Sequence, residues 1–264
     1  MRRFLPPLLC LFWASSACAG AWLLPENQGY FILNDTYFRS DHYWDASGDS
    51  HKQASFNKLE VQPYAEYGLT GKLTIGADAY AQYDWQGGVD NWGLADPELW
   101  ARMKLWDNGS QLVSIQPLVK LPSTFYYNDL DPRGGSHSTD EELSLLFGSS
   151  AHIVSDRDYI DSRIGYRERN QGLSPQWKAD LSVGISPWDH WILVPAVRYV
   201  GSTKIDAQTF SESGDLDYRL LKAELGLLYK YNNGDWWQFN VFDHLDGTQT
   251  GNGEGISIGF AHRF

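Results

Sequence analysis

Apolar and polar residues alternate with a period of two along most of this chain, the signature of strands with one wet and one dry face. In the first clear segment Leu59, Val61, Pro63, Ala65 and Tyr67 share one side, and Lys58, Glu60, Gln62, Tyr64 and Glu66 the other. The next two segments repeat the pattern. Leu73, Ile75, Ala77, Ala79, Ala81 and Tyr83 oppose Thr74, Asp78, Tyr80, Gln82 and Asp84. Pro97, Leu99, Ala101, Met103 and Leu105 then oppose Asp96, Glu98, Trp100, Arg102 and Lys104. Further strands are predicted over 113–121, 177–185, 221–229, 237–241 and 256–264, with less regular ones over 30–39, 140–147, 159–167 and 191–199. That makes twelve strands, and no segment carries a helical period.

The connections alternate in length. Tight turns of Gly, Asn, Asp and Pro fall at 68–71, 107–110, 187–190 and 232–235. Longer polar stretches fall at 41–55, 86–92, 122–139, 168–175, 201–214 and 246–253; the connection through His152 to Arg157 is longer than its place in the series predicts. Strands of about 10–13 residues cross a bilayer at a tilt and are about twice the length usual in a soluble β-sandwich. The expected fold is therefore all-β: a transmembrane up-and-down antiparallel β-barrel of twelve strands.

Composition narrows the functional classes. The chain has 264 residues, 21 Lys plus Arg against 33 Asp plus Glu, and a formal charge of -12. No basic block is present to meet phosphates, so nucleic acid is not an expected partner. A mean hydropathy of -0.42 excludes a multi-span helical protein, but a barrel turns every second residue to water and tolerates it. Residues 1–20, MRRFLPPLLCLFWASSACAG, read as a secretory signal peptide. Arg2 and Arg3 are its positive start, 4–13 its apolar run and Ala17-Cys18-Ala19 its cleavage site. Cleavage is expected after Ala19 or Gly20, leaving a single barrel domain over 21–264. Both cysteines, Cys10 and Cys18, fall in the leader; a weak lipobox at 15–18 is the alternative, with Cys18 lipidated.

The 12 Trp, 15 Tyr and 12 Phe gather near strand ends. Tyr67, Trp106, Phe147, Trp188, Trp191, Tyr229, Trp236, Trp237 and Phe264 fall at the short-turn end. Phe38, Tyr83, Trp85, Trp92, Phe125, Tyr126, Tyr127, Tyr166, Trp177, Tyr199 and Tyr218 fall at the other. Two girdles at the headgroup levels are the expected result. The last segment places Ile256, Ile258, Phe260, His262 and Phe264 on one face and ends on an aromatic residue. It resembles the C-terminal signal strand that the barrel-assembly machinery recognises in bacterial outer-membrane proteins.

Several short pieces resemble a narrower group. Ala21-Trp22-Leu23-Leu24-Pro25 followed by Gly29-Tyr30, the run from Ala65 through Glu66, Tyr67, Gly68 and Leu69 to Thr70, the stretch 93–99 and the glycine-rich 251–255 are similar to XagA-like outer-membrane barrels. They are similar too to the barrels associated with the meta-pathway of phenol degradation. The first resemblance implies a link to exopolysaccharide and biofilm production, the second a passage for aromatic compounds. Neither assigns a site residue.

The expected function is a narrow channel or export conduit for a polar solute, with polysaccharide as one candidate. Its predicted pore-lining residues are Lys58, Glu60, Glu66, Asp78, Tyr80, Asp84, Glu98, Trp100, Arg102, Lys104, Arg163, Lys178, Asp180, Lys222 and Glu224. Either these charges select a solute, or opposite signs pair across strands and fill the lumen. Tyr64, Tyr80 and Trp100 offer stacking faces to a ring, or serve as packing. Three alternatives stay open: a channel for small aromatic compounds, a non-conducting surface or adhesion barrel, and an outer-membrane lipid-modifying enzyme. The enzyme reading rests on His244, Ser257 and Asn240 approaching one another. His137 and the loop acids Asp41, Asp45, Asp49, Asp129 and Asp131 read as solvated, so no metal, cofactor or catalytic residue is expected. The expected partners are outer-membrane lipids and lipopolysaccharide, the barrel-assembly machinery, and the solute.

Overall fold

The structure is a computed structural model that describes residues 20–123, 138–170, 172–205 and 217–264. The expected leader up to Ala19, and Phe125, Tyr126, Tyr127, Asp129, Asp131 and His137, lie outside the described residues.

The described residues form twelve strands: β1 (Gly29–Trp44), β2 (Ser50–Thr70), β3 (Leu73–Gln86), β4 (Val89–Asp107), β5 (Gln111–Lys120), β6 (Asp140–Ala151), β7 (Asp158–Arg169), β8 (Gln176–Trp188), β9 (Trp191–Ser202), β10 (Arg219–Lys230), β11 (Trp236–Thr248) and β12 (Thr250–Arg263). Each pairs antiparallel with its sequence neighbour. β12 returns to β1, with Tyr30 opposite Arg263 and Trp44 opposite Thr250, and the sheet closes into a barrel. Closure pairs the backbone all round and leaves no edge, the condition for a sheet in hydrocarbon.

The alternation read from the sequence becomes the two sides of this wall. Leu59, Val61, Leu99, Leu143, Ile164, Val241 and Ile256 point outward and are exposed, as a lipid-facing belt requires. Carboxylates interrupt the belt in places: Asp35, for one, is exposed on the outer face, opposite Val61 and Ile258 on the flanking strands.

Two expectations need correction. Three of the expected long loops are strand instead. β1 and β2 run up to a short connection at 45–49, β3 and β4 turn on Gly87 and Gly88, and Gln249 alone joins β11 to β12. Gly87 and Gly88 have φ of 61° and 88°, the positive values a two-residue hairpin turn demands. Polar residues there pair in a ladder standing above the apolar belt, so polarity did not mean loop. Second, Phe38 and Trp236 are not girdle residues. Phe38 shares the inward face of β1 with Tyr30 and Ile32, and Trp236 is 1% exposed inside the barrel. Where two aromatics adjoin, as at Trp236-Trp237, the period of two sends one of them inward.

The lumen at the short-turn end carries an apolar cluster beside buried polar groups such as Glu66, Arg102 and Gln116. Tyr30, Ile32, Tyr159, Ile192, Leu228, Trp236 and Ala261 form one buried cluster there, with Leu24, Tyr64 and Val194 packed against it. Tyr159 fits because Gly184 has no side chain; a Cβ there would overlap the ring.

Candidate functional site

Among the described residues the lumen is the candidate site that many strands build together, and it has three levels. Its floor is the segment preceding β1. The segment is anchored at the rim, where the N–H of Asn27 donates to the Gly68 carbonyl at 2.9 Å, and then turns into the barrel. The Leu24 N–H donates to Thr74 Oγ1 on β3 at 3.0 Å, and Arg102 Nη1 on β4 donates to the Trp22 carbonyl at 2.8 Å. Ser114 Oγ on β5 donates to the Ala21 carbonyl at 2.6 Å, and the Ala21 N–H donates to Asp161 Oδ1 on β7 at 3.0 Å. The segment thus crosses the lumen. Ala21 is fully buried against Leu112 and Leu146, and the Trp22 ring lies over Gly148, where a Cβ would come within 2.9 Å of Nε1. Four backbone groups crossing the gap, the N–H of Ala21 and Leu24 and the carbonyls of Ala21 and Trp22, thus find partners on the wall, as a buried irregular segment requires.

The waist above it is a cavity of about 350 Å³. Asp78, Tyr80, Glu98, Arg163, Lys178 and Asp180 line it, all residues predicted to face inward. Tyr80 donates to Asp78 Oδ2 at 2.9 Å, and Arg163 holds Asp180 at 2.7 Å.

The vestibule, at the long-loop end, encloses about 550 Å³. Lys58, Glu60, Asp84, Lys222 and Glu224 line it, and the charges form pairs: Lys58 with Glu60 at 2.9 Å, and Glu224 with Arg198 at 3.1 Å and Lys222 at 3.4 Å. Beside them stands an aromatic wall. The Phe38 and Phe242 rings stack with centroids 6.1 Å apart and planes at 4°, His244 lies 4.9 Å from Phe38, and Phe56 completes the patch. Lys222 Nζ sits 4.7 Å above the Phe242 ring.

The other four predicted lining residues face inward but border neither cavity. Glu66 and Arg102 form a buried pair at 3.2 Å, and Trp100 is 6% exposed, packed over Gly76 and Arg102. Trp100 is therefore packing and presents no stacking face. Lys104 pairs with Asp107 at the short-turn rim. The proposed catalytic group does not assemble. Asn240 Nδ2 donates to Ser257 Oγ at 2.9 Å, whereas His244 Nδ1 meets the Gly251 carbonyl at 2.8 Å. Among the loop acids, Asp41 pairs with Arg39, and Asp45 binds His51 and caps its own turn. Among the described residues no cluster could hold a metal.

Sequence reasoning missed the densest charge cluster. The fully buried Glu142 side chain accepts from Arg167 at 2.8 Å, Lys178 at 3.1 Å and Ser144 at 2.7 Å, and Arg167 also holds Glu98 at 2.6 Å. The signal was present, since Glu142 alternates with the outward Leu143 and Leu145. It also missed the floor, although an apolar run ending at Pro25, too short for a strand, precedes β1.

No protein-family profile and no curated protein matches the sequence. Among solved structures the chain is similar to an outer membrane channel from Pseudomonas putida F1, with a TM-score of 0.77 at 12% identity over 95% of this chain and 100% of that one. It is also similar to the translocator domain of autotransporter NalP from Neisseria meningitidis, with a TM-score of 0.53 at 11% identity over 91% of this chain and 90% of that one. A third is the KdgM porin in complex with disordered oligogalacturonate, with a TM-score of 0.51 at 9% identity over 88% of this chain and 99% of that one. At such identities the likeness concerns the fold, which is that of a bacterial outer-membrane β-barrel.

Proposed function

We propose that this chain is an outer-membrane channel that takes a small polar or amphipathic solute into the vestibule and passes it when the floor segment moves aside. One observation carries the reading. Vestibule and waist share Asn34, Gln62, Arg198 and Gln238, so the two cavities adjoin as one passage down the barrel, which among the described residues is stopped at its short-turn end. A barrel meant only for surface structure has no need of such a passage; small barrels otherwise fill their interiors with side chains. The Pseudomonas putida structure of the same fold is described as a channel, which agrees.

A polysaccharide chain needs an unbroken bore, which the seated floor segment does not leave. A solute the size of one or two rings suits the vestibule better, so the exopolysaccharide link finds no support in the lumen. The aromatic-compound alternative gains from one feature, the rings of Phe38, Phe56 and Phe242 that line an otherwise polar vestibule.

Single-channel recording in planar bilayers tests the proposal, with the wild type beside a variant lacking residues 20–25. The wild type is expected to be mostly closed and the deletion to conduct. Silence from both, with the barrel folded, would overturn the channel reading. Liposome swelling with a monosaccharide and with an aromatic acid then separates the two solute classes.

A further inference from the structure

The waist carries one more acid than base: Asp78, Glu98, Asp161 and Asp180 stand against Arg163, Lys178 and Arg198. Arg163 and Arg198 both reach Asp180, and Arg167 reaches Glu98. Asp78 Oδ2 accepts from the uncharged side chains of Gln62 and Tyr80, and its Oδ1 is buried with no side-chain partner. Gly20 lines the same cavity, and the Ala21 nitrogen lies 3.0 Å from Asp161 Oδ1.

We propose that this waist is a cation site whose occupant is the chain's own α-ammonium group, freed when the leader is cut after Ala19 or Gly20 and seated beside Asp161. The inference rests on the signal-peptide reading and not on conduction. Cleavage after Gly20 makes the Ala21 nitrogen itself the ammonium, in direct contact with Asp161. Cleavage after Ala19 places the charge one residue further on, in the cavity that Asp78 also borders. In either case a terminal ammonium brings three donors and a full charge where a continuing peptide would bring one N–H. Low-dielectric surroundings strengthen the pairing. A longer N-terminus would instead have to thread its extra residues into a cavity of about 350 Å³ already bounded by charged side chains. Leader removal and closure of the lumen are thereby one event: only the processed chain carries the charge that fastens its floor.

The test uses protein purified from outer membranes, with intact mass defining the first residue. Acetylation of the α-amino group by an amine-reactive ester at neutral pH is followed by mass spectrometry of the N-terminal peptide. The wild-type α-amino group is expected to react at least about tenfold more slowly than in Asp161→Asn, since that change removes a buried ionic partner. Asp161→Glu should restore protection. A second variant leaves every barrel residue in place and inserts Gly-Ser after Gly20, carrying the ammonium past Asp161. It too should react fast, and its floor should open more often. Should Asp161→Asn fail to show the heat-modifiable gel shift of a folded barrel, the insertion decides. Equal labelling in the wild type and the insertion would overturn the proposal, as would a mature chain beginning elsewhere. Because labelling reads the amine and not the current, a silent channel leaves this result standing.

Discussion

Replacing Arg102 with lysine should loosen the floor of the lumen while sparing the barrel wall. Arg102 is 1% exposed and its guanidinium serves three acceptors. Nη1 donates to the Trp22 carbonyl at 2.8 Å, Nε to Gln116 Oε1 at 3.0 Å, and Nη2 to Glu66 Oε1 at 3.2 Å. A lysine keeps a positive charge beside Glu66, so no buried carboxylate is stranded. One ammonium on a straight stem does not, however, span acceptors on β2, β5 and the floor segment together. Of the three bonds, only the one to Trp22 joins wall to floor. A hydrogen bond with one ionised partner contributes about 1.5–3 kcal/mol net, so its loss shifts the segment from seated to displaced by roughly 10- to 150-fold. Single-channel recording reads this directly: the open fraction should rise by that factor while the conductance of the open level stays unchanged. If Arg102→Lys stays as closed as the wild type while deletion of residues 20–25 conducts, the bond to Trp22 does not seat the segment.

Gly148→Val should open the floor by another route, because a Cβ at that position meets the Trp22 ring; an unchanged open fraction would count against this packing. Asp35→Leu should raise stability by roughly 1–2 kcal/mol in a chemical unfolding titration, since it removes a charge from the lipid face, and a lower midpoint would contradict the outward placement. Asp235, in the turn before β11, accepts from the Arg263 backbone N–H at 3.0 Å, from Asn233 at 2.8 Å, and faces His262, and these hold its carboxyl below the ordinary range. Its stabilisation is present above the unfolded-state value of about 4 and is lost as pH falls through the lower folded-state value. Asp235→Asn should therefore lower the unfolding midpoint at neutral pH and flatten the acid limb; an identical acid limb in wild type and variant would refute the role. Lys222→Met should free the Phe242 face while Arg198 still holds Glu224, so vestibule block by an aromatic acid should tighten if the ring faces bind it and weaken if Lys222 does.

The barrel was legible because its wall is built by one rule. Each inward residue is flanked by outward ones, and a lipid belt forces the contrast between Glu60 and Leu59 or Val61 to be sharp. The count of strands, their antiparallel order and the inward direction of the predicted charges all follow from that alternation. The rule fails where the solvent is the same on both sides. Above the belt, 50–57 and 244–252 are polar on either face, so the extension of β2, β11 and β12 left no periodic trace. It fails again at the floor. Ala21 and Trp22 are held by Asp161, Ser114 and Arg102, residues 140, 93 and 80 positions away, and no local pattern encodes contacts of that range. Phe38 and Trp236 mark a third limit. Aromatic residues near strand ends suit both a girdle and a lumen, and only the parity of the strand separates the two.

The charges that alternation reveals most readily are not those best placed to choose a solute. Glu142 is enclosed by Arg167, Lys178 and Arg163, and Arg102 is locked to Glu66. Even in the open vestibule, Lys58 and Glu60 pair with each other, while Arg198 and Lys222 share Glu224. Pairs of opposite sign a few ångströms apart cancel at the distance of a passing ion, so these pairs exert little net field along the axis. Their effect is to hold twelve strands at a fixed spacing around a water-filled gap, as an apolar core would around a dry one. On the proposed channel reading, discrimination falls to the uncharged lining: the rings of Phe38, Phe56 and Phe242, and the amides of Asn34, Gln62 and Gln238 shared by vestibule and waist. These groups read shape and hydrogen-bonding pattern instead of charge. On that same reading the solute has a flat face and a polar edge, a description that fits an aromatic ring bearing oxygen substituents and a sugar ring alike.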